Sequence, residues 1–282
     1  MADTKVIGID LGATNIRGAV VNEGELSEIV SVRIHSDGAV EDVLEDIYHV
    51  IDAFIDDSIA AIGIGVPSVV DVEQGIVYDV QHIPSWVEVP LKHILETKYN
   101  KPVFVNNDAN CFALGEYYFG KGKKASSVIG MTIGTGLGSG VIINGKLFAG
   151  FNCGAGEFGM LPYQGQTLEF YASGSFFKNV YGMDGVEVFE DAKRGERRAV
   201  ALYAELGTHL GQAVKAVMYS LDPQLIILGG SVAQAYDLFA ETMWKEIGTF
   251  AYVKSAERIR IEVSELKNGG ILGAAALYFD AQ

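Results

Sequence analysis

An internal repeat is the feature that most constrains how this chain folds. Residues 6–14 (VIGIDLGAT) match residues 128–136 (VIGMTIGTG) at a constant offset of 122 residues, and Gly18 and Gly140 continue the match. Each copy has an apolar run, a glycine turn and a second apolar run that ends in a polar Asn/Gly turn, which is the pattern of a β-hairpin. The sequence therefore predicts two halves that each begin with a hairpin.

The order of the later elements agrees between the halves, which argues against a chance similarity of two glycine-rich hairpins. Apolar residues at helical spacing, such as Val43, Ile47 and Val50, predict a helix over 40–56. The other predicted elements are extended segments 25–34 and 146–148, strands 60–66, 103–105, 225–228 and 259–263, and helices 91–98, 108–118, 197–220, 232–247 and one that begins at 270. This alternation predicts an α/β fold in two halves, and the interface between two halves is where small ligands commonly bind.

Charge and composition restrict the partners. The chain has 282 residues, enough for one large or two medium domains, and a formal net charge of −15. Because phosphates would be repelled, this charge argues against general binding to nucleic acid or an anionic membrane, but it leaves room for one anionic ligand at a local site. The chain shows no basic and then apolar leader, and no run of about 18 apolar residues that would span a membrane. We therefore expect a soluble cytoplasmic protein.

The two cysteines do not form a recognisable framework. Cys111 and Cys153 are far apart in the sequence and neither belongs to a C-x-x-C pair. A structural cysteine zinc site is therefore not expected, and we predict two reduced thiols in the core.

The first candidate for chemistry is the turn of the first hairpin, residues 10–17 (DLGATNIR), which we call the first glycine loop. Gly12 permits a tight turn that brings backbone N–H groups close to a ligand. Thr14 and Asn15 add side-chain donors, and Arg17 adds positive charge. Asp10, at the end of a strand, is a candidate ligand of Mg²⁺, directly or through water. An ordinary hairpin turn is the alternative interpretation.

The equivalent turn of the second hairpin, residues 132–140 (TIGTGLGSG), is the second glycine loop. It has neither the G-x-x-x-x-G-K-[ST] phosphate-loop pattern nor G-x-G-x-x-G spacing, and a strand follows it, so a dinucleotide fold is disfavoured. A backbone cradle for phosphate inside a hairpin fits better. The candidate residues here are Thr132, Gly134, Thr135 and Gly136.

Two further turns join a strand to a helix. Gly229 and Gly230 would let a flat ligand lie against the backbone, close to a helix N-terminus that favours anions.

Asp108 follows a strand and begins a helix, where an aspartate commonly serves as the N-cap. The functional alternative is a general base that accepts the proton of a sugar hydroxyl as it attacks phosphorus.

Taken together, these residues resemble the ROK sugar kinases, a family within the actin-like ATPase superfamily. The segments that carry the resemblance are 10–17 (DLGATNIR), 107–110 (NDAN), 134–140 (GTGLGSG), 154–159 (GAGEFG) and 229–230 (GG). They span nearly the whole chain in order. The resemblance implies ATP-dependent phosphorylation of a hexose, usually at O6, with Mg²⁺ as cofactor and a homodimer as a plausible assembly.

The resemblance also implies roles for individual residues. Asp108 would be the base, and Asn107, Glu157 and Glu169 would bind sugar hydroxyls. The glycine loops would hold phosphates through Gly12, Thr14, Gly134, Thr135 and Gly136. Gly229 and Gly230 would border the adenosine. The implied fold is a duplicated actin-like ATPase (ribonuclease H-like) fold, α/β, with two domains around a central cleft. We expect a small N-terminal domain over 1–115, joined by the C-terminal helix 269–282, and a larger domain over 116–268.

Four features depart from the family pattern. Met160 stands where the family usually has a His, and residues 161–168 (LPYQGQTL) stand where it has a cluster of cysteines. Because neither supplies a tetrahedral ligand set, we predict that the family's zinc site is absent. His82 falls where family members often carry Asn near the sugar, and Ser68 replaces a Gly in a loop near the sugar, so both are candidate substrate contacts.

The substrate stays open at this stage. Glucose is the first choice, with N-acetylmannosamine, N-acetylglucosamine, allose, fructose and β-glucosides as alternatives. A sugar-sensing regulatory protein is a hypothesis of another class, although family repressors carry an added DNA-binding domain for which residues 1–5 leave no room. An actin-like or chaperone ATPase fits less well because the chain is short. The charged stretch 191–198 is predicted to be a solvated loop or helix start.

Overall fold

The computed structural model of the protein describes residues 4–80 and 82–282. The strands are β1 (Lys5–Leu11), β2 (Asn15–Asn22), β3 (Glu25–Leu26), β4 (Val30–Arg33), β5 (Ile59–Val66), β6 (Val69–Asp71), β7 (Ile76–Tyr78), β8 (Glu88–Val89), β9 (Val103–Asn107), β10 (Ser127–Ile133), β11 (Leu137–Ile143), β12 (Lys146–Leu147), β13 (Pro162–Tyr163), β14 (Gln166–Thr167), β15 (Leu225–Gly229) and β16 (Arg260–Val263). The helices are α1 (Val40–Asp52), α2 (Leu91–Tyr99), α3 (Asp108–Tyr118), α4 (Leu168–Tyr171), α5 (Phe176–Tyr181), α6 (Gly185–Lys193), α7 (Arg197–Leu221), α8 (Tyr236–Ile247), α9 (Val253–Arg258) and α10 (Gly269–Asp280), with 3₁₀ turns at Phe158–Met160 and Val232–Ala235.

The two large sheets repeat one topology, as the sequence repeat predicts. The first has the order β3-β2-β1-β5-β9, with β4 also paired to β2, and the second has the order β12-β11-β10-β15-β16. In the first, β1 is antiparallel to β2 and parallel to β5, and β5 is parallel to β9. In the second, β10 is parallel to β15 and β15 to β16. The β1–β2 hairpin and the β10–β11 segment are therefore equivalent parts of a duplicated fold.

The chain divides into two compact units. Unit 1 takes in the described parts of Met1–Lys124 together with Gly140–Ala155 and Glu265–Gln282, and unit 2 consists of Ala125–Ser139 and Gly156–Ser264.

Alternation along the strands gives the sheet of unit 1 two apolar faces. Ile7, Ile9 and Ile62 point to a core shared with α1 and α2, while Val6 and Ala61 point to the opposite face, which packs against α10. Since β1, β5 and β9 run parallel, their carboxyl ends meet at one edge of the sheet. The polar residues that follow these three strands therefore come together at that edge of unit 1.

Glycines let α10 approach the sheet closely. A methyl group added at Gly8 would lie 2.1 Å from the carbonyl oxygen of Ile271, and one added at Gly63 would lie 1.9 Å from that of Ala274. Such distances are far below contact, so only glycine fits at either position. The backbone of α10 thus packs directly on β1 and β5.

In unit 2, glycines likewise allow the two longest helices, α7 and α8, to pack closely. A methyl group at Gly207 of α7 would lie 2.1 Å from Oγ1 of Thr242 in α8, and one at Gly211 would lie 2.5 Å from Cβ of Glu246. Glycines four residues apart lie on one helix face, so α8 can pack closely along α7.

Several predicted boundaries are wrong in detail. The first helix ends at Asp52 rather than residue 56: the N–H of Phe54 already bonds the carbonyl of Ile51 in a tighter turn, and Asp56 Oδ1 accepts the backbone N–H of Ser58 in the next turn. Residues 232–235, predicted as the start of a helix, form a 3₁₀ turn in which Gln234 N donates to the Ser231 carbonyl. The stretch 191–198, predicted as a solvated loop or helix start, holds the end of α6, an exposed turn and the start of α7, so this prediction is confirmed except for residues 191–193.

Candidate functional site

The candidate base lies at the start of α3 in unit 1. Asp108 was a candidate N-cap, but Asn107 holds that position, and its Oδ1 accepts the backbone N–H of Ala109 at 2.9 Å and that of Asn110 at 3.4 Å. Asp108 is instead the first residue of the helix, it is exposed, and its Oδ1 accepts from Ala109 N at 2.8 Å. A carboxylate is favoured at a helix N-terminus, and this one is open to solvent.

Two predicted substrate residues meet beside this carboxylate. Asn107 Nδ2 donates to the carbonyl oxygen of Ser68 at 3.2 Å. The Ser68 hydroxyl donates to the carbonyl of Tyr78, which fixes the loop after β5. Both side chains therefore have structural partners, and a sugar contact of Asn107 would use its second amide hydrogen.

Beneath the start of α3 lies a buried polar cluster. Asn106 Oδ1 accepts from the backbone of Asn107 at 2.8 Å, from Nδ2 of Asn110 at 2.9 Å and from Sγ of Cys153 at 3.3 Å. Cys111 and Cys153 are buried thiols that form no disulfide, in agreement with the prediction of core thiols. Burial, reinforced by the charge of Asp108, raises the pKa of the Cys111 thiol well above its usual value.

The first glycine loop is a tight turn whose tip is exposed. Gly12 N donates to the carbonyl of Asn15 at 3.0 Å, and Thr14 and Asn15 are exposed. Arg17 Nη2 bonds Asp10 Oδ2 at 2.6 Å, as expected for facing residues of β1 and β2. Much of the charge of Arg17 is therefore neutralised within the protein.

Asp10 was also the candidate for Mg²⁺. Its carboxylate lies against the first turn of α10, where a methyl group added at Gly270 would be 2.8 Å from Oδ2. Within residues 4–80 and 82–282, no group of three or more His, Cys, Asp or Glu side chains is arranged to hold a metal ion. A Mg²⁺ bound mainly by nucleotide phosphates and water, with one protein carboxylate, fits this donor set.

The second glycine loop, which lies in unit 2 as far as Ser139, has two of its carbonyl groups anchored. Gly174 N donates to the Gly134 carbonyl at 2.7 Å, and Ser175 Oγ donates to the Thr135 carbonyl at 2.7 Å. In a trans peptide the next N–H points away from the carbonyl, so the amides of Thr135 and Gly136 point away from these anchors. A methyl group added at Gly134 would meet nothing within 4 Å. Thr132 Oγ1 lies inside the hairpin, 3.4 Å from the Gly138 carbonyl.

Two predicted sugar-binding carboxylates, both in unit 2, are close enough to interact. Glu169, in the first turn of α4, accepts from the backbone N–H of Leu137 at 2.8 Å through Oε2. Partial desolvation and the nearby charge of Glu169 raise the pKa of Glu157 above its ordinary value. Paired carboxylates of this kind suit the donor hydroxyls of a polyol.

A cavity of about 330 Å³ opens beside the second glycine loop and is formed wholly by unit 2. Its lining residues are Gly134, Thr135, Gly174, Ser175, Phe177, Lys178, Met183, Asp184, Gly185, Val186, Phe189, Tyr203, Ser231 and Val232. The apolar side chains were missed at the sequence level, because they come from α5, α6 and α7 and no local pattern connects them. Such a volume and lining suit a flat aromatic ligand.

The predicted glycine pair borders this cavity only indirectly. Gly230 has φ of +85°, and a methyl group there would lie 2.4 Å from the Ile133 carbonyl oxygen. The backbone geometry therefore explains why this residue is glycine. Gly229 is the buried last residue of β15. Ser231 and Val232, which follow them, form the wall itself.

The remaining predictions concern His82 and zinc. His82 is exposed in a turn with φ of +70°, and the prediction that it contacts substrate stays a prediction. The segment that replaces the family's cysteines forms the β13–β14 hairpin, and Met160 before it is exposed.

In the described part of the chain, no helix is long and apolar enough to cross a membrane.

Comparison with known proteins agrees with this geometry. A profile of the ROK family matches residues 6–281. The chain is 28% identical over 310 residues to the glucokinase of Thermotoga maritima, with 98% of each chain covered. It is 30% identical over 311 residues to the xylose repressor of Caldicellulosiruptor bescii, with 96% of this chain and 77% of the repressor covered.

Solved structures extend the likeness to the fold. A ROK family glucokinase from Streptomyces griseus, solved in complex with glucose and AMPPNP, superposes with a TM-score of 0.81 at 28% identity, covering 97% of this chain and 98% of that one. The predicted duplicated actin-like ATPase fold is thereby confirmed. On its motifs, its fold and its match over almost the whole sequence, this chain belongs to the ROK family.

Proposed function

We propose that this protein is an ATP-dependent kinase that phosphorylates a hexose hydroxyl, O6 first, with glucose as the first candidate substrate. The observation that carries the proposal is the exposed carboxylate of Asp108 at the first position of α3, directly after Asn107, which holds the N-cap. The sugar kinases among the relatives support the same reaction class.

The reaction assigns one task to each group. The O6 hydroxyl passes its proton to Asp108 while O6 attacks the γ-phosphorus, the bond from that phosphorus to the bridging oxygen breaks, and ADP leaves. The backbone N–H groups of Thr135 and Gly136 donate hydrogen bonds to phosphate oxygens. Their direction is fixed because the carbonyl groups of the same two peptide bonds accept from Gly174 N and Ser175 Oγ. Mg²⁺, when bound, would neutralise phosphate charge, with Asp10 as its protein ligand.

The adenosine is assigned to the cavity of unit 2. Phe177, Phe189 and Tyr203 supply aromatic surface there, while Asp184 is already engaged as the N-cap of α6. Glu157 and Glu169 accept hydrogen bonds from the sugar, and the raised pKa of Glu157 fits a carboxylate that gains a donor only when substrate binds.

The test is sugar-dependent ADP release from Mg²⁺–ATP across a panel of hexoses and N-acetylhexosamines. One hexose should give strong release, and Asp108→Asn should lower kcat by about 100-fold to 10,000-fold with sugar affinity within about threefold. Asp57→Asn, an exposed aspartate of the same unit, should match the wild type. Full turnover by Asp108→Asn would contradict the assignment, and sugar binding without any ADP release would favour the sensor alternative.

A further inference from the structure

A buried histidine in unit 2 plays no part in the reaction above. His209 lies on α7, is 7% exposed, and is surrounded by the rings of Tyr163, Tyr171 and Phe176 at centroid distances of 5.7, 5.1 and 5.5 Å. Burial lowers its pKa below the ordinary value, so the imidazole is neutral at pH 7. A neutral imidazole has one donor and one acceptor, and both need partners in a buried site.

Each ring nitrogen faces a polar group. Nδ1 lies 3.1 Å from the hydroxyl of Tyr163, and Nε2 lies 3.8 Å from Oε1 of Glu205. Burial raises the pKa of Tyr163, so its hydroxyl keeps its proton and donates it to Nδ1. The same hydroxyl accepts from Nε2 of Gln164 at 3.0 Å. This assigns the tautomer with the proton on Nε2, facing Glu205, which itself accepts from the hydroxyl of Tyr181 at 2.5 Å.

The hydrogen bond between Tyr163 and His209 holds a small element, the β13–β14 hairpin. Strands β13 and β14 have two residues each, and an isolated two-stranded hairpin is marginally stable at best in water. Within the described residues it carries no disulfide and belongs to no metal-binding group. Its anchorage to α7 must therefore come from side chains, and the Tyr163–His209 bond is the polar part of it.

The hairpin leads directly into the helix that carries Glu169. Thr167 Oγ1 of β14 caps α4 by accepting from Phe170 N at 3.3 Å, and Leu168 N donates to the Leu161 carbonyl at 2.9 Å. Tyr171, at the far end of α4, packs on His209 and donates to the carbonyl of Gln164 at 3.4 Å. Both flanks of Glu169 are thus tied to the same imidazole.

We infer that His209 is a positioning residue: through Tyr163 and Tyr171 it fixes the hairpin and α4, and so aims Glu169 at the sugar. The inference rests on the proposed role of Glu169 as a sugar ligand. It assigns His209 no contact with sugar or ATP, so its loss should act through the position of Glu169 and weaken sugar binding more than ATP binding.

The test uses variants that keep an aromatic ring at each position. Tyr163→Phe removes only the hydroxyl, and His209→Phe removes both nitrogens but leaves an aromatic ring. Each should raise the KM for sugar about fivefold, with the KM for ATP and kcat within about twofold. Tyr219→Phe is the matched control, because it removes a hydroxyl of the same unit that accepts from Ala251 N at 3.3 Å.

A second measurement does not depend on activity. Hydrogen exchange at the amides of 161–172 should become faster in Tyr163→Phe and His209→Phe but not in Tyr219→Phe. If the wild type phosphorylates no sugar, the proposed function fails while the exchange result still decides whether the histidine holds this segment. Unchanged exchange, or equal rises in the KM values for sugar and ATP, would overturn the inference.

Discussion

Oε2 of Glu169 accepts a hydrogen bond from the backbone N–H of Leu137 at 2.8 Å, which ties α4 to the end of the second glycine loop. A methyl group added at Gly136 would lie 2.5 Å from the same oxygen, so carboxylate and loop are in close contact. One oxygen of the carboxylate is therefore committed to the loop, and Oε1 is left for a ligand. A sugar bound through Glu169 would thus be coupled to the loop assigned to phosphate.

Substitutions of Glu169 separate its two tasks. Glu169→Ala leaves the N–H of Leu137 without an acceptor and should lower the free energy of unfolding by about 1–2 kcal/mol, whereas Glu169→Gln keeps an acceptor oxygen and should lose less. Both should raise the KM for sugar. Urea denaturation and steady-state kinetics measure the two effects, and equal stability losses for Ala and Gln would show that the Leu137 bond is unimportant.

Gly134→Ala tests the phosphate assignment without disturbing the protein. Because nothing lies within 4 Å of the added methyl group, the free energy of unfolding should stay within about 0.5 kcal/mol of the wild type. A phosphate held by the neighbouring amides would meet that methyl group, so the KM for ATP should rise about tenfold or more. Unchanged ATP binding, measured by calorimetry with a non-hydrolysable analogue, would place the nucleotide elsewhere.

Gly63→Ala should show the opposite behaviour. Its methyl group would lie 1.9 Å from the carbonyl oxygen of Ala274, a backbone atom that cannot rotate away. Forcing α10 off the sheet should cost at least about 1–3 kcal/mol of unfolding free energy, with no specific change in the KM for ATP. Thermal and urea denaturation check this, and a stable Gly63→Ala variant would mean that α10 is held less closely than the structure indicates.

The sequence could predict what local periodicity and the repeat encode. The helical spacing of Val43, Ile47 and Val50 and the 122-residue offset sufficed for the main sheets, the long helices and the two glycine loops. The actin-like topology itself came from the resemblance to a family. Among the candidate functional residues, the sequence motifs indicated Asp108 and Glu169, but they did not indicate the hydrogen-bond partners of either residue.

Interactions between distant residues escaped prediction because no period connects them. The bond between Tyr163 and His209 joins residues 46 positions apart, and the three aromatic side chains of the cavity come from three separate helices. Asn107 rather than Asp108 caps α3, although both residue types favour the N-cap and only the backbone angles distinguish them. The partner of Arg17 depends on strand register, since Asp10 faces it across the β1–β2 hairpin.

Glu157 gives a prediction about pH. Its pKa is raised above the ordinary 4.5, first by partial desolvation and then by the charge of Glu169. A raised pKa in the folded state means that the protonated form is favoured there. The resulting stability is fully present below the ordinary pKa and is lost as pH rises through the folded-state pKa. Relative to Glu157→Gln, which does not titrate, the wild type should lose stability as pH rises from about 4 through that range.

The activity of the wild type should move in the opposite direction. The stability gap is the difference in free energy of unfolding between Glu157→Gln and the wild type, and it narrows as pH decreases. The ionised Glu157 accepts hydrogen bonds from sugar hydroxyls, so kcat/KM for sugar should fall over the same decrease in pH. Urea denaturation of wild type and Glu157→Gln across this pH range measures the first effect, and kinetics at saturating ATP measures the second. A stability gap that does not change with pH would show that Glu157 is not held in a desolvated site beside Glu169, because a freely solvated carboxylate has the same pKa folded and unfolded.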